Sequence, residues 1–248
     1  MSGEGGDSAA SAKEFGEGPL ARVTNVVYWY LVTGLLMVVA ALPGAVPMQF
    51  LESSPGNAPV LALCLAPLGP AFAAGLYGLR DRRRSEGLTP ARSFFRGYRL
   101  NWSDALWMTL PGLVYVAIGG LGAGVVGDGG ALAGSGVGII TAVPGVYLGL
   151  LIVLGVAVVL WTMHALVIVS FFSFRVRDVA RLAAYYLFAQ WRVTLGGLLL
   201  VVVAGLVLLT AGDIVVGALG VVWSAAVLWN HAALVSDVEK RFVRPGDV

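Results

Sequence analysis

Ionisable side chains are scarce inside the apolar runs of this sequence, so the few that occur there are the first places to look for chemistry. His164, in WTMHAL, stands 11 residues before Arg175, which is about 16 Å along a helix and near the middle of a membrane-length run. An imidazole there could hold a solute or relay a proton, although a hydrogen bond to a neighbouring helix is the commoner use of such a residue. His231, beside Asn230 and close to Asp237, reads as a polar residue at the edge of its run. The third feature is backbone. Pro67, Gly69 and Pro70 interrupt an apolar run around Leu68. Each proline removes a donor and clashes with the carbonyl one turn back, so the helix kinks or breaks there. Interrupted helices expose backbone groups that can bind a solute. Pro67, Gly69, Pro70 and His164 are therefore the candidate solute-binding residues, with a kink that serves packing alone as the commoner outcome.

A second group of residues suits recognition rather than catalysis. Arg82, Arg83 and Arg84 form a cationic cluster, and Arg92, Phe95, Arg96, Tyr98, Asn101 and Trp102 follow in an aromatic-basic segment. Thr89-Pro90 supplies a helix start, with threonine as cap and proline at the first helical position. Beyond it, aromatic and guanidinium groups tend towards opposite faces, the pattern of a short helix lying in the membrane interface. Anionic lipid headgroups are the expected partner, a docked cytoplasmic protein is the alternative, and nucleic acid is not expected.

No catalytic residue, metal site or cofactor is expected. The two histidines are not spaced as HExxH, and neither a GxSxG elbow nor a Walker A loop occurs. Gly122, Gly124 and Gly127 spell GxGxxG, but they close an apolar run instead of joining a strand to a helix. The pairs Gly120-Gly124 and Gly145-Gly149 fit close helix packing. The single cysteine, Cys64, reads as a small buried hydrophobe.

The elements that carry these residues follow from composition. Hydrophobic residues make up 58% of the chain and charged residues 12%, about half the charge of a soluble domain. The mean hydropathy is +0.85. Apolar runs of about 20 residues match a hydrocarbon core roughly 30 Å thick, and their lack of alternation excludes barrel strands. The expected fold is all-α, a polytopic transmembrane helical bundle of about six spans with two short cytoplasmic interfacial helices. The spans fall near Val23–Leu42, Pro59–Leu79, Ala105–Val126, Val146–Phe172, Val193–Thr210 and Ile214–Leu234. Pro43-Gly44 closes the first, Ser103 or Asp104 caps the third, and Asp178 caps the second interfacial helix. Residues 127–138 form a Gly-rich loop, Pro144-Gly145 precedes the fourth span, and Gly212-Asp213 makes a tight turn before the sixth. Residues 1–19 read as a disordered cytoplasmic tail, 20–236 as the transmembrane domain and 237–248 as a charged cytoplasmic tail.

With six spans, all 16 Lys and Arg residues fall on one side, and the other side holds Glu52, Asp128 and Asp213. The positive-inside rule then places both termini in the cytoplasm of a multi-pass protein of the cell (inner) membrane. The aromatic-basic segments FFRGYRLNW and AYYLFAQWR echo one another, Asn101-Trp102 matching Gln190-Trp191, either as a parallel repeat or because interfacial segments converge on the same residue types.

Asn25 in an aromatic-rich first span, LGPAFAAGLYGLR over residues 68–80 and FFRGYRLNW over residues 94–102 together resemble the YesL-like family of uncharacterised bacterial membrane proteins. The likeness covers Leu20 to about Leu106 and is architectural beyond that point. Members of that family often lie near genes for carbohydrate transport and glycoside hydrolases. The resemblance therefore implies a non-enzymatic accessory or regulatory factor for carbohydrate uptake, partnered with the membrane subunits of a sugar transporter. It brings no catalytic residues with it. The rival expectation is a small solute transporter or channel with its site at the broken second span and His164. A homo-oligomer is compatible with either.

Overall fold

The computed structural model describes residues 19–52, 54–82, 89–127 and 144–242. Among these the chain is helical, without strands. Helix α1 (Pro19–Met48) is followed by a short 3-10 turn (Pro55–Asn57), α2 (Ala58–Leu65) and α3 (Leu68–Asp81). Next come α4 (Pro90–Gly127), α5 (Pro144–Phe171), α6 (Val176–Ala189), α7 (Trp191–Ala211), α8 (Asp213–Ala218), α9 (Gly220–Asn230) and α10 (Ala232–Phe242). Five helical stretches are long and apolar enough to cross a membrane: Val23–Met48, Pro55–Asp81, Pro90–Gly124, Gly145–Phe171 and Trp191–Ala211. A sixth crossing is made if the bent pair α9–α10 counts as one span.

Two buried clusters hold the bundle together. One joins α3, α4, α5, α6, α9 and α10 through Leu76, Met108, Ile168, Tyr186, Val227 and Leu234. The other joins α1, α3, α4 and α9 through Trp29, Met37, Leu79, Phe94 and Val221. Large apolar side chains such as Leu31, Ile152, Val153, Leu199 and Leu209 point outward. Such a surface is stable only against hydrocarbon, because in water it would be a continuous exposed patch.

Several boundaries differ from the sequence expectation, each for a physical reason. Helix α1 passes through Pro43 and Pro47 to Met48 instead of stopping at Pro43-Gly44. The absent side chain at Gly44 lets α1 lie directly on the Cys64 carbonyl and the Pro67 ring, so packing sustains the helix past its prolines. The first interfacial helix and the third span are one element, α4. Ser103 and Asp104 lie inside it and cap nothing. Its 38 residues measure about 57 Å, so its basic end continues the spanning helix and is not a separate helix. Pro90 does start it, as expected. The second interfacial helix, α6, is separate, because the backbone turns at Gln190 (φ −114°, ψ 59°) before α7. It starts at Val176, which leaves Asp178 in the first turn, where a carboxylate favours the helix dipole. The turn at Gly212 forms with φ 86°, a conformation that favours glycine. The charged C-terminal segment is helical through Phe242. The expected tail at residues 1–18 and the loop at 128–138 lie outside the described residues.

Candidate functional site

The two histidines of the described segments meet. His164, from the second half of α5, and His231, at the junction of α9 and α10, have ring centroids 4.8 Å apart at an interplanar angle of 73°. Both are fully buried. His164 Nδ1 donates to the Leu160 carbonyl at 2.8 Å, and His231 Nδ1 donates to the Val227 carbonyl at 2.9 Å. A carbonyl only accepts, so each Nδ1 carries the proton and each Nε2 presents a lone pair. Neither Nε2 has a hydrogen-bond partner among the described residues.

Local structure explains the meeting. The chain leaves its helical path at His231 (φ −89°, ψ 5°), and α9 and α10 are bent by 53° there. Asn230 donates from Nδ2 to the Val193 carbonyl at 2.8 Å and lies where a side chain at Gly196 would stand, which ties α9 to α7. The bend thus turns His231 into the bundle and away from the edge position expected for it. His164 lies seven residues from the end of α5, about 10 Å along the axis. The pair therefore sits in the basic-side half of the bundle and not at its centre.

Each unpartnered Nε2 can accept a hydrogen bond or a proton. Among the described residues no group of three or more His, Cys, Asp or Glu side chains is placed to hold a metal ion. Two imidazoles alone fall short of the three or four protein ligands that zinc takes.

The structure does not join His164 to the interrupted second span. Ala66 and Pro67 keep right-handed helical dihedrals, so the interruption is a kink with little unwound backbone. Gly69 and Pro70 are buried, and a side chain at Gly69 would overlap Thr109 of α4. Two cavities formed by the described residues, one beside Arg80 and one beside Arg181, are not lined by Pro67, Gly69, Pro70 or His164.

The basic end of α4 is a mixed surface. Ser93, Phe94 and Gly97 pack inward, and Tyr77 of α3 fills the space that a side chain at Gly97 would take. Arg92, Phe95, Arg96, Arg99 and Trp102 are exposed together, and Tyr98 and Asn101 are half-buried. The expected separation of aromatics from arginines therefore fails at Phe95 and Trp102, because a step of three or four residues from Arg92 or Arg99 stays on one helix face. Arg82 lies 5.4 Å over the Tyr30 ring. Arg83 and Arg84 lie outside the described residues. In the second aromatic-basic segment, Tyr186 is buried and donates to Asp237 Oδ2 at 2.8 Å. Burial and the Asp237 carboxylate both push the Tyr186 phenol above its ordinary range.

Arg80 clamps the end of α5, donating to the Ser170 and Phe171 carbonyls at 3.1 and 2.9 Å with its guanidinium 4.8 Å over the Phe171 ring. Beside this clamp opens a cavity of about 730 Å³ bounded by α1, α3, α4, the end of α5, α9 and α10. Sequence spacing gave no sign of the cavity or of the histidine pair. No family model, curated protein or solved structure matches the chain.

Proposed function

We propose that this chain is a non-enzymatic accessory or regulatory factor for carbohydrate uptake in a bacterial inner membrane, with both termini in the cytoplasm. On this reading it presents the basic end of α4 to the membrane subunits of a sugar transporter. The observation that carries the docking role is that Arg92, Phe95, Arg96, Arg99 and Trp102 are exposed together on a helix continuous with a membrane span. A rigid arm with arginine and aromatic anchors loses little entropy on binding and offers the residue types that dominate interface energetics. The cytoplasmic placement rests on the segregation of Lys and Arg. The carbohydrate context rests on the YesL-like resemblance of residues 20–106.

The test is purification from native membranes in gentle detergent, followed by mass spectrometry of whatever stays bound. Transporter membrane subunits recovered in stoichiometric amount, and lost in Arg92→Glu/Arg96→Glu, are the expected result. Recovery of the chain alone or with itself argues against the proposal.

A small-solute transporter or channel is the second reading, favoured by the unpartnered Nε2 atoms of His164 and His231 at a helix bend. Solute uptake into liposomes that His164→Ala abolishes would support it over docking.

A further inference from the structure

The cavity of about 730 Å³ belongs to neither reading. Among the described residues its charged members are Arg80 and Arg82 from the end of α3 and Glu239 from α10, two guanidinium groups less one carboxylate, for a formal charge of +1 on the described lining. Arg80 is spent on the carbonyls of Ser170 and Phe171. Arg82 stacks on Tyr30, and its Nε is buried without a hydrogen-bond partner. The remaining wall is mixed, with apolar Phe171, Phe172 and Leu228 beside polar Tyr30, Ser173 and Ser236. The volume lies within the range of small-ligand sites, roughly 300–1,000 Å³.

We propose that this cavity binds the headgroup of one phosphatidylglycerol-class lipid. The phosphodiester meets Arg82, a glycerol hydroxyl donates to Glu239, and an acyl chain leaves along Phe171, Phe172 and Leu228. A single anionic charge complements the formal +1, and a planar guanidinium suits a phosphate. Basic pockets between spans are a recognised geometry for anionic headgroups. The carboxylate adds selectivity, because it requires a donor beside the phosphate, and a hydroxyl supplies one without the positive charge that an ammonium would bring. Leu228 and Ala232 line the cavity on either side of His231, so one bound lipid touches both arms of the α9–α10 bend. The inference requires the bundle to sit in a bilayer and does not depend on docking or transport.

The test is native mass spectrometry of the purified full chain in non-ionic detergent, titrated separately with four probes. These are dioleoyl-phosphatidylglycerol, dioleoyl-phosphatidylcholine, sodium oleate and glycerol 3-phosphate. One phosphatidylglycerol per chain should bind, about 10-fold or more tighter than phosphatidylcholine. Arg82→Gln should weaken it by about 10-fold, as for a lost charge-assisted hydrogen bond. Leu228→Trp should block it by filling the cavity, and Arg82→Lys should retain part of the affinity, which guards against misreading a folding defect. Three results would overturn the proposal. They are wild-type affinity in both Arg82→Gln and Leu228→Trp, equal binding of the two phospholipids, or binding of oleate or glycerol 3-phosphate as tight as the lipid's.

Discussion

Replacing the paired histidines with methionine should leave the protein as stable as before or make it more stable. Each ring makes one hydrogen bond, from Nδ1 to the carbonyl four residues earlier, and each buries an Nε2 without a partner. Losing the first costs about 1 kcal/mol, and removing a buried unpaired acceptor returns about 1–3 kcal/mol. The Val227 carbonyl is not orphaned, because the His231 backbone N–H also donates to it at 2.9 Å. Methionine fills the space flexibly, which limits strain. His164→Met and His231→Met should each therefore change stability by between zero and about +2 kcal/mol. For a chain of this size 1 kcal/mol corresponds to roughly 2–4 °C in Tm. The seven tryptophans give a fluorescence signal for unfolding in detergent. A loss of more than about 2 kcal/mol at either site would refute the reasoning, since it would mean that the Nε2 atoms are satisfied in the working protein by something they bind.

Other perturbations separate close packing from open surface. Gly44→Ala puts a methyl group against the Cys64 carbonyl and should destabilise by about 1–3 kcal/mol. Gly149→Ala meets nothing and should stabilise by about 0.5–1 kcal/mol through helix propensity; the same unfolding assay reads both. Arg80→Met removes two hydrogen bonds from the end of α5, and because Arg80 is half-buried its cost is screened to about 2 kcal/mol. In a spectrophotometric pH titration Tyr186 should stay protonated after ordinary tyrosines have ionised. Because its folded pKa is raised, its stabilising bond to Asp237 is complete below the ordinary tyrosine range and is lost only as pH climbs through the higher folded value.

The helical bundle was legible because hydrophobic run length is a direct physical requirement of a bilayer, and the glycine turn at 212 because positive φ selects that residue. Helix ends were less legible. Pro43 and Ser103-Asp104 carry local stop and start signals, but the packing of Gly44 on Cys64 and of α4 along α3 outweighs them. Of the glycine pairs, Gly120 and Gly124 do pack closely, against Ala58 and Pro55, whereas Gly145 and Gly149 have nothing within 4 Å. The motif is the same, and only the neighbour decides. The Asn101/Gln190 echo likewise spans two backbones, a continuous helix in one half and a break in the other. The histidine pair was invisible because its members lie on different spans and meet through a bend that no proline or glycine announces at His231.

That bend also fixes where the chain ends up. Helices α8 and α9 run from Asp213 to Asn230, about 27 Å of axis against a hydrocarbon core of roughly 30 Å. If the bent pair completes a sixth crossing, that crossing is nearly complete at His231, and α10 then carries Glu239, Lys240 and Arg241 out of the apolar layer. The Tyr186–Asp237 hydrogen bond holds α10 beside α6, and Arg80 holds the end of α3 beside the end of α5. The ends of α3 and α5, with α6 and α10, thus gather on one side. In a Cys64→Ala background, Glu239→Cys should therefore react with a membrane-impermeant maleimide from the same side as Arg92→Cys, and Glu52→Cys from the other. If Glu239→Cys instead reacted together with Glu52→Cys, the α9–α10 pair would be a re-entrant loop and the bundle would have five crossings. The segregation of Lys and Arg would fail with it, because Lys240, Arg241 and Arg244 would then lie on the acidic side.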